Sequence, residues 1–471
     1  MSPRRYLFAL VDGGGNVPPE LSAVRRLVQR GHAVTVLAED SVAFEVRSTG
    51  AVLRRWTRAP NRRDRRPEND PARDWECKYP WQLINRLSRT LFVGPAPRYA
   101  SDMSEAISEI QPALVVCSMF CVGGMVAAEA AGVPFDVLLP NIYPLPAPGM
   151  PPFGIGLQPA RGVLGRLRDR ALNGIIERLW DAHALPGVNA LRHQLGLQAL
   201  AHFLDEFRGA RRLLVLTSAD FDFPAALPSH ARYVGPVLDD PVWSQQDSWT
   251  LPQEKDPLVL VSMSSTFQDH VGCLQRVIDA LGTMQVRVVV TTGPAVDRAA
   301  LQPAANTTIV SSAPHGEVLR HTALAVSHGG HGTVMKALAA GVPLVLLPHG
   351  RDQADTAARV TARGAGVTVT RTAGVNEIAR TVRRVLDNPS YRAAARRLGE
   401  VIRRDAQADV LVRELEDIPH GHGRDDASRS RSIQGPALST RRADVLRRDL
   451  RDSVSCSEFS CVTNPSPTSL S

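Results

Sequence analysis

Short, unbroken apolar runs that end in glycine turns constrain this chain more than any other feature of its sequence. Residues 6–11 (YLFALV), 33–38 (AVTVLA) and 258–262 (LVLVS) have almost no polar alternation, so a strand made from any of them hides both faces. Parallel sheets meet that condition because crossover helices cover both sides. After the first run come Asp12 and Gly13-Gly14-Gly15, then Leu21, Val24, Leu27 and Val28 at helical spacing, a stop at Gly31-His32, and the second run. That is one βαβ unit.

The pattern continues with strands expected at 51–53, 113–117, 135–139 and 213–217 and helices at 100–110 and 123–131. It breaks at a polar stretch, 239–257, that contains Pro and Trp and has no apolar period. It restarts with strands at 258–262, 286–291, 308–310, 323–327, 343–347 and 367–369, and helical spacing persists through 377–386, 391–404 and 406–416. The reading is an α/β fold of two Rossmann-like, doubly wound parallel-sheet domains, over 1–238 and 258–398. Residues 239–257 form the linker and 399–417 a helix crossing back to the first domain. A Ser/Arg/Asp-rich tail, 418–471, has the composition of a disordered segment.

Composition excludes several classes of function. No apolar run approaches the ~18 residues of a membrane span, and the first five residues lead straight into a strand, so the expectation is a cytoplasmic protein without integral membrane association. The six cysteines are scattered without metal-ligand spacing, as free thiols are in a reducing compartment. Net charge is +8 with only three lysines, Lys78, Lys255 and Lys336. The densest arginine run, 54–73, is interleaved with Pro, Asn and Asp and has little aromatic content, a poor platform for nucleic acid. It reads as a solvated loop, with peripheral contact to an acidic substrate or an anionic membrane as the alternatives.

Two glycine turns carry the chemistry. The first lacks the third glycine of a dinucleotide fingerprint, and Pro18-Pro19 fits the opening turn of a helix, where a missing N–H costs little. The second is His328-Gly329-Gly330-His331-Gly332-Thr333, after one strand and before a helix. Unpaired N–H groups at such a helix start bind anions, and His328 can donate to a diphosphate whose charge grows as it departs. The plainer alternative is a glycine-rich turn with ordinary histidines. Against it stands the company of this turn: Pro348-His349-Gly350-Arg351-Asp352-Gln353 at the next carboxyl-end loop, with Ser264, Thr266 and Thr292 at two earlier ones.

The stretch from Pro314-His315 through HGGHGT, AAGVPLVLLP and GRDQAD resembles the donor-binding motif of the inverting UDP-glycosyltransferase family, including its bacterial macrolide-type members, and the order of elements is similar over about residues 4–417. The resemblance implies the GT-B architecture, with an acceptor domain and a nucleotide-sugar domain facing across a cleft. It implies a diphosphate site at His328, Gly330, Gly332 and Thr333, sugar hydroxyls on Asp352 and Gln353, and a donor pocket including Ser264, Thr266, Thr292, Pro314 and His315. The activity implied is transfer of a hexose or deoxyhexose from a UDP- or dTDP-sugar, with inversion and with neither metal nor other cofactor, to a small lipophilic acceptor. Tyr143, Trp81 and Phe153 are candidates for the acceptor pocket, within variable loops at 54–91 and 141–157. The partners implied are thus a nucleotide sugar and a small molecule, and no nucleic acid; oligomeric state is not implied.

Departures from the family pattern are as informative. Ser312 stands where many members stack a Trp on the base, and Lys336 where plant-type members bind ribose with a Glu. The family's catalytic His and its orienting Asp are replaced by Asn16 and Ser118. An amide cannot accept a proton in a transition state. Three readings therefore stand side by side: another base, with Asp12 nearest and Glu20 next, so that Asp12→Ala abolishes transfer; an acceptor acidic enough to need none; or donor binding without turnover, as in a partner protein or sensor. A sugar-nucleotide epimerase of the same architecture is a further alternative.

Overall fold

The computed structural model describes residues 2–245 and 255–418. The expected tail beyond 418 and the middle of the 239–257 stretch lie outside them. Among the described residues the first sheet has seven parallel strands: β1 (Arg5–Ala9), β2 (Ala33–Ala38), β3 (Val52–Arg55), β4 (Leu114–Ser118), β5 (Phe135–Leu139), β6 (Arg212–Val215) and β7 (Ala231–Tyr233), in the order β3-β2-β1-β4-β5-β6-β7. The second has six: β8 (Leu258–Ser262), β9 (Arg287–Thr291), β10 (Thr307–Val310), β11 (Thr322–Ser327), β12 (Leu344–Leu346) and β13 (Gly366–Thr368), in the order β10-β9-β8-β11-β12-β13.

The continuous apolar runs feed two cores at once. Along β1, Leu7 and Ala9 enter one hydrophobic cluster while Tyr6 and Phe8 enter the other. Along β8, Leu258 and Leu260 face one side and Val259 and Val261 the opposite one. Side chains alternate across a strand, so a strand between two helix layers must be apolar at every position.

Strand order reverses between β1 and β4 in the first sheet and between β8 and β11 in the second. Ligands of open α/β sheets bind outside the carboxyl ends of the strands at such switch points. The two switch points are brought against each other. Gly14, at φ +91°, lies so close to the loop after β8 that a Cβ there would sit 2.3 Å from Thr266 Cγ2, so only glycine permits this approach.

Polar contacts tie the halves together, and Ile142 and Phe221 of the first pack into the core of the second. Arg359 Nε donates to Asp222 Oδ1 at 2.6 Å, and its guanidinium stacks 4.3 Å over the Phe223 ring. The backbone N–H groups of Gly154 and Gly156 donate to Asp355. The closing helix, Val410–Glu416, adds Leu411, Val412 and Leu415 to the core on Tyr6, and Glu416 pairs with Arg30 and His32.

Candidate functional site

A cavity of about 410 Å³ lies where the switch points meet, and both halves line it. On the second-domain side the helix His331–Ala339 opens directly after β11 and the Gly329-Gly330 turn. Its first N–H groups have no intrahelical partner and aim at the cavity with the positive end of the helix dipole. His328, Gly330, Gly332 and Thr333 all line the wall. A Cβ on Gly330 would stand 2.5 Å from His328 Nε2, so glycine is needed to seat that ring. Burial lowers the His328 pKa to about 3, and His270 and His349 press it the same way. The imidazole is neutral at working pH and serves as a hydrogen-bonding group without a charge of its own.

Ser264, Thr266, His315, Asp352, Gln353 and Phe153 also line the cavity. Asp352 is half-buried, and desolvation raises its pKa against a hydrogen bond from Asn141 of the first domain. The Gln353 side chain is committed to its own loop and to the one after β8: Oε1 accepts from the His349 N–H at 2.8 Å and Nε2 donates to Gln268 at 2.7 Å. Other candidates stand outside the wall. Thr292 donates to the Gly293 carbonyl, Pro314 caps a neighbouring helix, Tyr143 is packed in the first-domain core, and Trp81 is 52% exposed and stacked on Tyr79. His331 points away from the diphosphate position, with Nε2 on Thr217 Oγ1 at 2.9 Å across the domain junction.

Other wall residues are Arg351, Lys336 and Ser312, which the sequence marked, and the lining of an apolar chamber, which it did not. Arg351, at φ +56°, forks onto Asp74 through Nε and Nη2 at 2.7 and 3.1 Å and donates from Nη1 to Thr266 Oγ1 and the Gly13 carbonyl. Lys336 pairs with Asp240 at 2.7 Å. Ser312 donates to the Trp243 carbonyl, and Trp243 lines the same wall. On the first-domain side Phe92, Phe120, Trp180 and Phe203 join Leu83, Leu87 and Met119 in an apolar chamber. Phe92 meets the other three aromatic rings edge-on, and Trp180 and Phe203 stack at 5.3 Å.

At the position of the family dyad, Asn16 and Ser118 do come together, with Nδ2 3.4 Å from Oγ. Asn16 Nδ2 also donates to the Val11 carbonyl at 2.9 Å and Glu20 Oε1 at 3.2 Å, while Oδ1 accepts from the Gly13 N–H at 2.9 Å. Every polar atom of the amide is thus spent on shaping the glycine turn. Behind it Glu20 is fully buried, and burial raises its pKa to about 8 against the hydrogen bonds from Asn16 and Ser118. Glu20→Gln should therefore leave stability nearly unchanged near pH 4.5. A folded pKa above the unfolded one means stability is present below the unfolded value and lost as pH rises through the folded one. The variant's advantage in Tm should widen from pH 4.5 to 8. A gap that stays flat with pH would refute the neutral carboxyl.

Asp12 is a different kind of group. Burial opposes its ionisation, but Arg65 and Arg62 outweigh it and hold the carboxyl at about 2. Arg65 Nε donates at 2.8 Å, Arg62 Nη2 lies at 2.9 Å, and the Ser41 hydroxyl and Gly14 N–H donate at 2.9 Å each. Two arginines of the 54–73 run are thus buried internal counter-ions, whereas the composition of that run pointed to a solvated loop. Removing one partner of a buried pair leaves an uncompensated charge. Asp12→Ala should cost about 3–5 kcal/mol, read as a lowered denaturation midpoint; an unmoved midpoint would contradict that anchoring role.

Two parallel α/β domains with their switch points around one shared cavity, one side a helix start suited to an anion and the other an apolar chamber, define the GT-B architecture. Residues 275–418 match the family described as erythromycin biosynthesis protein CIII-like, C-terminal domain. The chain is 29% identical to 4'-demethylrebeccamycin synthase of Lentzea aerocolonigenes over 420 residues, covering 86% of this chain and 98% of that protein. It is 30% identical to a PGL/p-HBAD biosynthesis glycosyltransferase of Mycobacterium tuberculosis over 64% of this chain and 70% of that one. Its fold superposes on the crystal structure of CalG4, the calicheamicin glycosyltransferase, with a TM-score of 0.67 at 23% identity over 88% of this chain and 98% of that one. The chain belongs to the macrolide-type family of nucleotide-sugar-dependent glycosyltransferases.

Proposed function

We propose that the protein transfers a hexose or deoxyhexose from a UDP- or dTDP-sugar to a small, aromatic, lipophilic acceptor whose nucleophilic group is itself acidic. Attack on the anomeric carbon from the first-domain side expels the nucleoside diphosphate toward the second, which inverts the configuration in one displacement. The bond to the acceptor forms as the bond to the diphosphate oxygen breaks. The growing negative charge on that oxygen is met by the N–H groups that open the helix His331–Ala339, by the Thr333 hydroxyl and by the neutral His328 ring. Asp352 and Gln353 are assigned to the sugar hydroxyls. Trp243 with Ser312 is assigned to the base, and the Lys336–Asp240 pair to the ribose.

One observation carries the choice of acceptor: the polar groups facing the apolar chamber are already committed. Asp12 is bound by two arginines, Asp74 by Arg351, and Asp70 accepts the N–H groups of Ala72 and Arg73. Asn16 has no base to offer. A phenol, carboxylic acid or acidic ring N–H brings a nucleophile whose proton leaves without help, and four aromatic rings suit a planar body. The relative from Lentzea aerocolonigenes, whose name marks it as acting in rebeccamycin formation, agrees with an acceptor of natural-product size.

Incubation with a panel of UDP- and dTDP-sugars and a phenolic acceptor tests the proposal. Free nucleoside diphosphate together with a glycoside of inverted anomeric configuration supports it. An interconverted sugar nucleotide would replace it with epimerisation, and a thermal shift without any product would make the protein a sensor.

A further inference from the structure

The helix Gly162–Gln194 is 33 residues long, and its first half is not covered by the rest of the described chain. Leu164, Leu167, Ala171 and Ile175 recur at the spacing of one helical face, and all four are exposed, Leu164 at 82%, Leu167 at 55% and Ile175 at 51%. Val163 beside them is 64% exposed. An aliphatic stripe this long in water is unfavourable unless something covers it.

Its surroundings say what that is. Arg161 and Arg178 lie beside the stripe and are exposed, and among the described residues no carboxylate pairs with them. Arg168 alone is paired, with Asp169. A second copy of the chain docked face to face would set these arginines against their own images. An anionic lipid surface satisfies both halves of the pattern, since aliphatic side chains enter the headgroup boundary while arginines meet phosphates. No described helix is long and apolar enough to cross a membrane, so the contact is peripheral. The same helix runs on to Trp180, which lines the apolar chamber, so the docked face leads toward the acceptor side.

We propose that the first half of this helix docks the enzyme on anionic membranes through Leu164, Leu167 and Ile175 and the arginines around them. Co-sedimentation of the full chain with vesicles of phosphatidylcholine alone and of phosphatidylcholine with 30% phosphatidylglycerol tests it. Binding should be at least tenfold tighter to the anionic vesicles and fall steeply in 0.5 M salt, because each arginine near such a surface contributes about fivefold. Leu164→Asp with Leu167→Asp should reduce anionic binding at least tenfold. Arg161→Glu with Arg178→Glu should do the same by charge alone, a second arm should the first pair disturb folding. Equal affinity for both vesicle types, absence of binding, or a concentration-dependent dimer that the leucine variants dissociate would each overturn the proposal.

Discussion

Asn16→His is expected to raise transfer to aliphatic alcohols by ~100-fold or more, the size of a positioned general base, while changing turnover of acidic phenols little. Asn16 Nδ2 lies within 3.4 Å of the Val11 carbonyl, Glu20 Oε1 and Ser118 Oγ. An imidazole there would turn one nitrogen to the same acceptors and the other to the chamber. Glu20, neutral up to about pH 8 in the present protein, would gain a cationic neighbour in the transition state and ionise beside it, the orienting work the family assigns to Asp at position 118. A carboxylate one helical turn beyond position 16 would then stand in for the one missing at position 118. Adding Glu20→Gln to Asn16→His should then remove most of the gain, and the double-mutant cycle measures that coupling directly. Initial rates across phenols and alcohols of graded acidity are the measurement. If the parent protein turns over alcohols as fast as phenols, the acidic-acceptor reading fails.

The parts of this protein readable from its sequence are those governed by local chemistry. Residues 135–139 and 258–262 are strands with the expected bounds, since runs buried on both faces have little freedom at their ends. The His328 turn and the Asp352 loop line one cavity because both follow strands at the same sheet edge. What was illegible depends on partners distant in the chain. The helix Gly162–Gln194 turns its apolar stripe outward over its first half, where its leucines are exposed, and Pro186 interrupts it. Strand β7, three residues long, carries too short a pattern to see. Arg62 and Arg65 look solvated in their own segment and become buried only because Asp12, some fifty residues away, needs them. Trp81 looked like a pocket residue by type, and Trp180 and Phe203 line the chamber without any motif to mark them.

His328→Ala should weaken nucleoside diphosphate binding by about 10- to 100-fold, the loss of one hydrogen bond to a charged group, and should lower kcat further than binding. The second half of that expectation follows from protonation. With a pKa lowered to about 3, the ring stays neutral, so it gives the ground-state diphosphate a hydrogen bond and no ion pair. As the glycosidic bond breaks, charge concentrates on the departing oxygen and the same hydrogen bond strengthens, which is the differential stabilisation that raises kcat. Neutrality also sets the pH behaviour: donor affinity should show no inflection near pH 6.5 attributable to this residue, where an exposed histidine would produce one. Titration calorimetry with UDP and dTDP at pH 6 and 8, on the parent and on His328→Ala, separates these effects. Unaltered affinity in the variant would remove His328 from the diphosphate site. A loss confined to pH 6 would mean the ring binds as a cation and is less buried than its seat against Gly330 implies.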